Sequence, residues 1–193
     1  VSPSVAPGRR RSPLVVVAAV CVLALLLAAA GVRHFVTQPY RVPSASMEPT
    51  LRAGDVILAD RASRGQAQHG DVVVFDGTGY FAPSAEGGGR YWVKRVIAVG
   101  GERVTCCSDS GALMIDGQEL DEPYLAPGTE PSAIEFDLEV PDGRMFVLGD
   151  NRADSTDSRS MLGAPGGGMV PVDRVVGTVD RIVWPLTRAG AVR

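Results

Sequence analysis

The 19 residues from Leu14 to Val32 carry no charge, and this run restricts the fate of the chain more than any other feature. As a helix it would extend roughly 29 Å, about the thickness of a bilayer's hydrocarbon core. Pro13 stands just before it, where a missing N–H does a starting helix no harm, and Arg33 and His34 close it. A helix apolar on every side has nowhere else to be buried in a protein of 193 residues. The core of a cleavable signal is shorter, about 7 to 15 residues, although Ala28-Ala29-Ala30-Gly31 imitates a small-residue cleavage site. The expectation is an uncleaved signal anchor in the plasma membrane. By the positive-inside rule Arg9, Arg10 and Arg11 stay behind. That makes 1–13 a cytoplasmic N-terminus, 14–32 a single transmembrane segment and 33–193 an extracytoplasmic domain.

Apart from those three arginines, 16 basic residues face 22 acidic ones. Phosphate contacts need clustered Lys and Arg, so an acidic outer region argues against nucleic acid as a partner. With 14 Pro and 23 Gly, the chain is expected to be mostly β, with short strands between turns. Strand candidates are Val56–Ala59, Val72–Phe75, Tyr91–Val99, Ala112–Asp116, Met145–Leu148 and Val175–Trp184. They predict a compact, twisted antiparallel sheet, barrel-like, built from about 33–101 and 141–186. The turn-rich stretch of about 102–140 reads as a small β insertion, with Ser108–Gly111 and Asp116-Gly117 suited to hairpins. Gly87–Gly89 and Gly166–Gly168 read as loops, and neither is followed by the Lys-Ser/Thr pair of a phosphate loop. Cys21, Cys106, Cys107, His34 and His69 form no metal-ligand spacing, so no metal or cofactor is expected. Adjacent cysteines have Cα atoms about 3.8 Å apart, under the roughly 4.4 Å of ordinary disulfides. Cys106 and Cys107 therefore read either as a strained bridge or as two buried thiols.

Of the 19 basic residues only Lys94 is a lysine. Arginine cannot release its proton, with a pKa above about 12, whereas a buried lysine can be neutral near pH 7. Strand alternation in Tyr91–Val99 puts Lys94 on one apolar face with Trp92, Val96 and Ala98, while Arg95 points away and can stay solvated. A desolvated lysine of this kind can act as a general base. Pro43-Ser44-Ala45-Ser46-Met47-Glu48-Pro49-Thr50-Leu51 offers two serines in a turn bracketed by prolines. Either can be ordinary turn chemistry; beside a neutral lysine, either hydroxyl could attack a carbonyl. A third segment, Gly149–Arg159, follows the apolar strand Met145–Leu148. Its acids do not fit a calcium loop, because Arg152 falls at a ligand position and Met161 at the terminal acid.

These three segments resemble the bacterial type I signal peptidase family, Ser-Lys enzymes that remove signal peptides from secreted proteins. Pro43–Leu51 looks like the family's nucleophile box and Gly54-Asp55 and Gly70–Phe75 its next strands. Lys94–Ile97 looks like its lysine box and Gly149–Arg159 its last box. The resemblance implies that Ser46 is the nucleophile and Lys94 the general base. It implies an oxyanion hole from Ser44 and the Ser46 N–H, and a hydrogen bond from Ser155 that orients Lys94. Asp150, Arg152, Asp157 and Arg159 would hold their loop in place. An extended signal-peptide end would pair with the strand before Ser46 and the strand carrying Lys94. Tyr40, Val42, Met47, Trp92 and Val93 would then line shallow pockets suited to Ala-x-Ala endings. Secretory preproteins and membrane lipid are the implied partners.

The chain departs from the family pattern at Gly100-Gly101-Glu102, where Pro-Gly-Asp is usual, and its insertion of roughly 40 residues implies a reduced second subdomain. Two other readings stay in view. One is a Ser-Lys peptidase that cleaves itself or a regulator, and the other an anchored β-domain that binds peptides without cutting.

Overall fold

The computed structural model describes residues 13–81, 89–164 and 166–192. The Arg9–Arg11 cluster and the first two glycines of Gly87–Gly89 lie outside the described residues. The chain divides into two units, Val1–Val36 and Thr37–Arg193.

The first unit holds helix α1, Pro13–Val36. Val15, Val16, Val17, Leu25, Leu26 and Leu27, successive positions that point all round a helix, are each at least half exposed. Among the described residues, no helix is long and apolar enough to cross a membrane.

The second unit is mostly β and antiparallel throughout. Its larger sheet contains β1 (Thr37–Arg41), β2 (Val56–Asp60), β3 (Val72–Asp76) and β4 (Tyr91–Val99). A smaller sheet follows in the chain, formed by β5 (Arg103–Cys106), β6 (Leu113–Ile115), β7 (Gln118–Glu119) and β8 (Phe136–Glu139). The chain then returns to the larger sheet with β9 (Arg144–Leu148), β10 (Val170–Pro171), β11 (Val175–Trp184) and β12 (Gly190–Ala191). The larger sheet runs β1-β2-β11-β3-β4-β9-β10, with β12 added to β11, and the smaller β7-β6-β5-β8. Pro39 sits in β1, an edge strand, where a missing N–H costs no ladder bond.

The strand candidates correspond to β2, β3, β4, β6, β9 and β11. The Asp116-Gly117 turn joins β6 to β7 with φ of 49° and 79°, the double positive φ that this residue pair tolerates in a two-residue hairpin. Cys106, the last residue of β5, and Cys107 are joined by a disulfide across a cis peptide bond. The other Cys, Cys21, is free.

Strand β4 does not keep one alternation over its length. Val96 pairs with Val147 but Ala98 with Phe146, so a bulge at Ile97 inserts an extra residue. Val96 packs with Val73, Phe75, Val147 and Trp92, whereas Ile97 and Ala98 pack with Val104, Leu113, Phe136 and Phe146 of the layer shared with the smaller sheet. Ala98 thus leaves the Lys94 face where simple alternation had put it.

Candidate active site

Pro43–Leu51 crosses from β1 to β2 as a turn whose ends are tied by Val42 N–H to the Asp55 carbonyl (2.8 Å) and Gly54 N–H to the Val42 carbonyl (2.9 Å). Met47 and Leu51 anchor it by burying their side chains fully. Asp55 accepts from Arg52 N–H (2.8 Å) and pairs with Arg188 (3.0 Å), which also reaches the Thr50 carbonyl (3.1 Å). Ser46 is left half-buried at the edge of the turn, facing β4.

Lys94 lies in β4 opposite Val73 and is 2% exposed. Its Nζ donates to Ser46 Oγ at 2.6 Å and sits 5.6 Å from the centroid of the Trp92 ring. Burial lowers its pKa from an ordinary 10.5 to about 8; the Asp157 and Asp150 carboxylates oppose the shift, and Arg159 adds to it. Ser44 Oγ donates to Ser46 Oγ at a longer 3.4 Å and is exposed.

The loop after β9 closes behind this pair. Asn151 donates its N–H to the Ser46 carbonyl (3.1 Å) and its Nδ2 to the Ala45 carbonyl (3.2 Å), clamping the turn that carries Ser46. A Cβ on Gly149 would collide with Ser155 Oγ and the Ser46 carbonyl oxygen, so only glycine allows the loop to approach this closely. Ser155 packs over Gly149, and its buried Oγ has no hydrogen-bond partner among the described residues. The hydrogen bond expected from Ser155 to Lys94 is therefore not formed.

Arg95 departs from expectation. It does point to the opposite face from Lys94, but it is 2% exposed, because the Tyr124 ring covers it at 3.8 Å. Its guanidinium grips Asp150 through two bonds (2.9 and 2.7 Å) and donates to the Gly70 carbonyl (2.9 Å). Asp150 in turn accepts from Thr50 Oγ1 at 2.5 Å, which ties the loop to the far end of the Ser46 turn. Asp157 accepts from Gly149 N–H (3.1 Å) and pairs with Arg159 (2.9 and 2.7 Å). Arg152 bonds the Gly149 carbonyl (3.0 Å) and pairs with Glu122. Arg95, Asp150, Arg152, Asp157 and Arg159 are all buried and all paired, as low dielectric requires.

An open cleft of about 320 Å³ holds Ser44, Ser46 and Lys94. Of the residues expected to line pockets, Val42, Met47, Trp92 and Val93 border it and Tyr40 does not. Tyr40 instead packs edge-on against Tyr91 at 5.4 Å, with its hydroxyl buried and burial raising its pKa. Pro43, Gly89, Tyr91, Asp154 and Thr156 complete the wall. Asn151 and Thr50 escaped the sequence reading: their partners lie about a hundred positions away, and no local spacing signals that. Among the described residues no group of acidic, His or Cys side chains could hold a metal.

Residues 14–184 match the family described as Signal peptidase, peptidase S26. The chain is 41% identical over 203 residues to a signal peptidase I of Mycobacterium tuberculosis, with 82% of this chain and 69% of that protein covered. It is 34% identical over 174 residues to the signal peptidase I T of Bacillus subtilis, covering 85% and 82%. A crystal structure of a signal peptidase I from Enterococcus faecalis aligns with a TM-score of 0.43 at 28% identity, over 58% of this chain and 96% of that one.

Proposed function

This chain belongs to the signal peptidase family, peptidase S26, and is a serine endopeptidase; from that premise we propose that it removes signal peptides from secretory preproteins while anchored in a membrane by α1. The observation that carries the chemistry is the 2.6 Å bond between Ser46 and a lysine whose pKa burial has lowered to about 8. In the neutral state Lys94 Nζ accepts the Ser46 proton as Oγ attacks the scissile carbonyl, and then delivers it to the leaving amine. A water deprotonated by the same amine releases the acyl group from Ser46.

Ser44 Oγ and the Ser46 N–H are the proposed donors to the oxyanion. Ser155 is the proposed orienting residue for Lys94 during turnover: its buried Oγ beside Gly149 makes no hydrogen bond among the described residues and so has its capacity left for the amine. Asp150, Arg152, Asp157 and Arg159 hold that loop through their ion pairs. Val42, Met47, Trp92 and Val93 favour a small side chain in an extended substrate, which fits cleavage after a small-x-small motif. Two features support the anchor: the charge-free run Leu14–Val32 and the exposure of the valines and leucines from Leu14 to Leu27. Residues 1–13 then lie in the cytoplasm and the β unit outside it, at the plasma membrane.

The test uses detergent-solubilised full chain and a preprotein substrate. Ser46→Ala and Lys94→Arg should each abolish cleavage with the fold intact. Lys94→Arg keeps the charge and removes only the ability to lose it, so full activity there would sink the mechanism.

A further inference from the structure

The rim of the larger sheet where the chain enters from α1 gathers positive charge. Thr37 pairs with Asp60, Asp60 with Thr178, Val175 with Phe75 and Asp76 with Tyr91, so the start of β1, the end of β2, the start of β11, the end of β3 and the start of β4 lie along one end of the sheet. Short connections there carry Arg61 and Arg64 after β2, Arg90 before β4 and Arg174 before β11. All four border one cavity of about 170 Å³. The sequence hides this cluster, because its members are spread over 114 positions between Arg61 and Arg174.

Charge balance makes the cluster unusual. Arg9, Arg10, Arg11 and Arg33 precede residue 37 and no acid does, so 15 basic residues face all 22 acidic ones from there on. Within this acidic unit the cavity has only Asp76 and Asp173 against its four arginines. Asp76 is taken up by Arg90 at 2.9 Å, with Arg174 at 4.0 Å. Hydrogen bonds from Thr78 and Arg90 hold its carboxyl at about pKa 2, so it stays charged at any ordinary pH. Arg61 and Arg64 are exposed, and no ion pair among the described residues engages them. Gln38 adds an amide to the wall.

We infer that this arginine-lined cavity binds the phosphodiester of an anionic phospholipid headgroup. Guanidinium forks match phosphate oxygens, and basic pockets at membrane depth recruit anionic headgroups. The proposed anchor favours a lipid over free phosphate, because β1, which carries Gln38, follows α1 directly in the chain. In this the inference rests on the proposed anchor. Tyr91 lines both this cavity and the cleft of Ser46 and Lys94, so a bound headgroup would sit beside the entrance for an extended substrate.

The test measures binding to the full chain in a nonionic detergent at low salt. The probes are dihexanoyl phosphatidylglycerol, dihexanoyl phosphatidylcholine and inorganic phosphate. Phosphatidylglycerol should bind best, and Arg61→Gln with Arg64→Gln should weaken it about thirty-fold at unchanged thermal stability. Arg103→Gln, on the smaller sheet, should leave binding unaltered. Equal affinity for inorganic phosphate, equal affinity for phosphatidylcholine, or indifference to the double substitution would each overturn the proposal. Flotation with phosphatidylcholine vesicles tests the anchor separately. A chain that fails to float yet binds phosphatidylglycerol in solution supports the site and refutes only the anchor, and a chain that floats without binding refutes only the site.

Discussion

Replacing Lys94 by Met should make the protein more stable while abolishing its activity. Met keeps an unbranched chain of similar length in the slot between Val73 and Trp92, so the change removes charge with little change in packing. In the folded state burial disfavours the ammonium and lowers the pKa from 10.5 to about 8, which at about 1.4 kcal/mol per tenfold is roughly 3 kcal/mol. The sign follows from which state holds the proton. Below about pH 8 the folded lysine is charged and bears the whole penalty; between about 8 and 10.5 only the unfolded chain is protonated; above 10.5 the penalty is gone. Losing the bond to Ser46 Oγ subtracts about 1 kcal/mol. The net gain at pH 7 is then about 2 kcal/mol. At pH 10 the charge penalty has fallen below about 1 kcal/mol, and the gain should have vanished. Urea unfolding of the detergent-solubilised full chain, followed by the fluorescence of Trp92 and Trp184, measures the difference at each pH. A Lys94→Met protein no more stable than the parent at pH 7, or one whose gain is the same at pH 10, would refute the claim that desolvation sets this pKa.

The pH dependence of cleavage should follow the same group: kcat/KM rises about tenfold per pH unit below about 8 and then levels, because only neutral Lys94 can accept the Ser46 proton. A profile with its midpoint near pH 6 would rule out Lys94 as the base that sets the rate. Ser44→Ala should lower kcat about a hundredfold and barely change KM, since an oxyanion donor acts on the transition state; a change confined to KM would make Ser44 a binding residue. Asp150→Asn should destabilise the fold by about 3 kcal/mol or more in thermal unfolding, because buried Arg95 would lose the carboxylate that grips it through two bonds. Arg95→Met combined with Asp150→Leu should recover most of that loss, and failure to recover it would mean that the pair is not the source of the cost.

The strands were legible because β2, β3, β4, β9 and β11 are runs of branched and aromatic residues between Gly, Pro and Asp turns, a pattern that depends only on near neighbours. The shortest strands were not. β7, β10 and β12 have two residues each, too few to show any period, and exist because a neighbour offers a ladder. The bulge at Ile97 was hidden for a related reason: an extra residue in one strand is defined by the partner's register, and β9 lies about fifty positions away.

The two adjacent residues Lys94 and Arg95 show why the site was only half readable. Both are buried, and period-two alternation correctly sends them to opposite faces. What lies over each face is a long-range matter. The apolar face was visible because Trp92 and Val96 belong to the same strand as Lys94. The polar face was not, because the groups that bury Arg95 are Tyr124, Asp150 and Thr50, drawn from three separate loops. That burial matters for the chemistry. Arg95, fixed by Asp150, stiffens β4 one residue from Lys94, and Thr50 on the same carboxylate fixes the turn that presents Ser46. The distance between Ser46 and Lys94 is therefore held from behind by a charged pair on the opposite face of the sheet. Preorganisation of this kind keeps a general base within hydrogen-bond reach of its nucleophile without a direct tether between the two backbones.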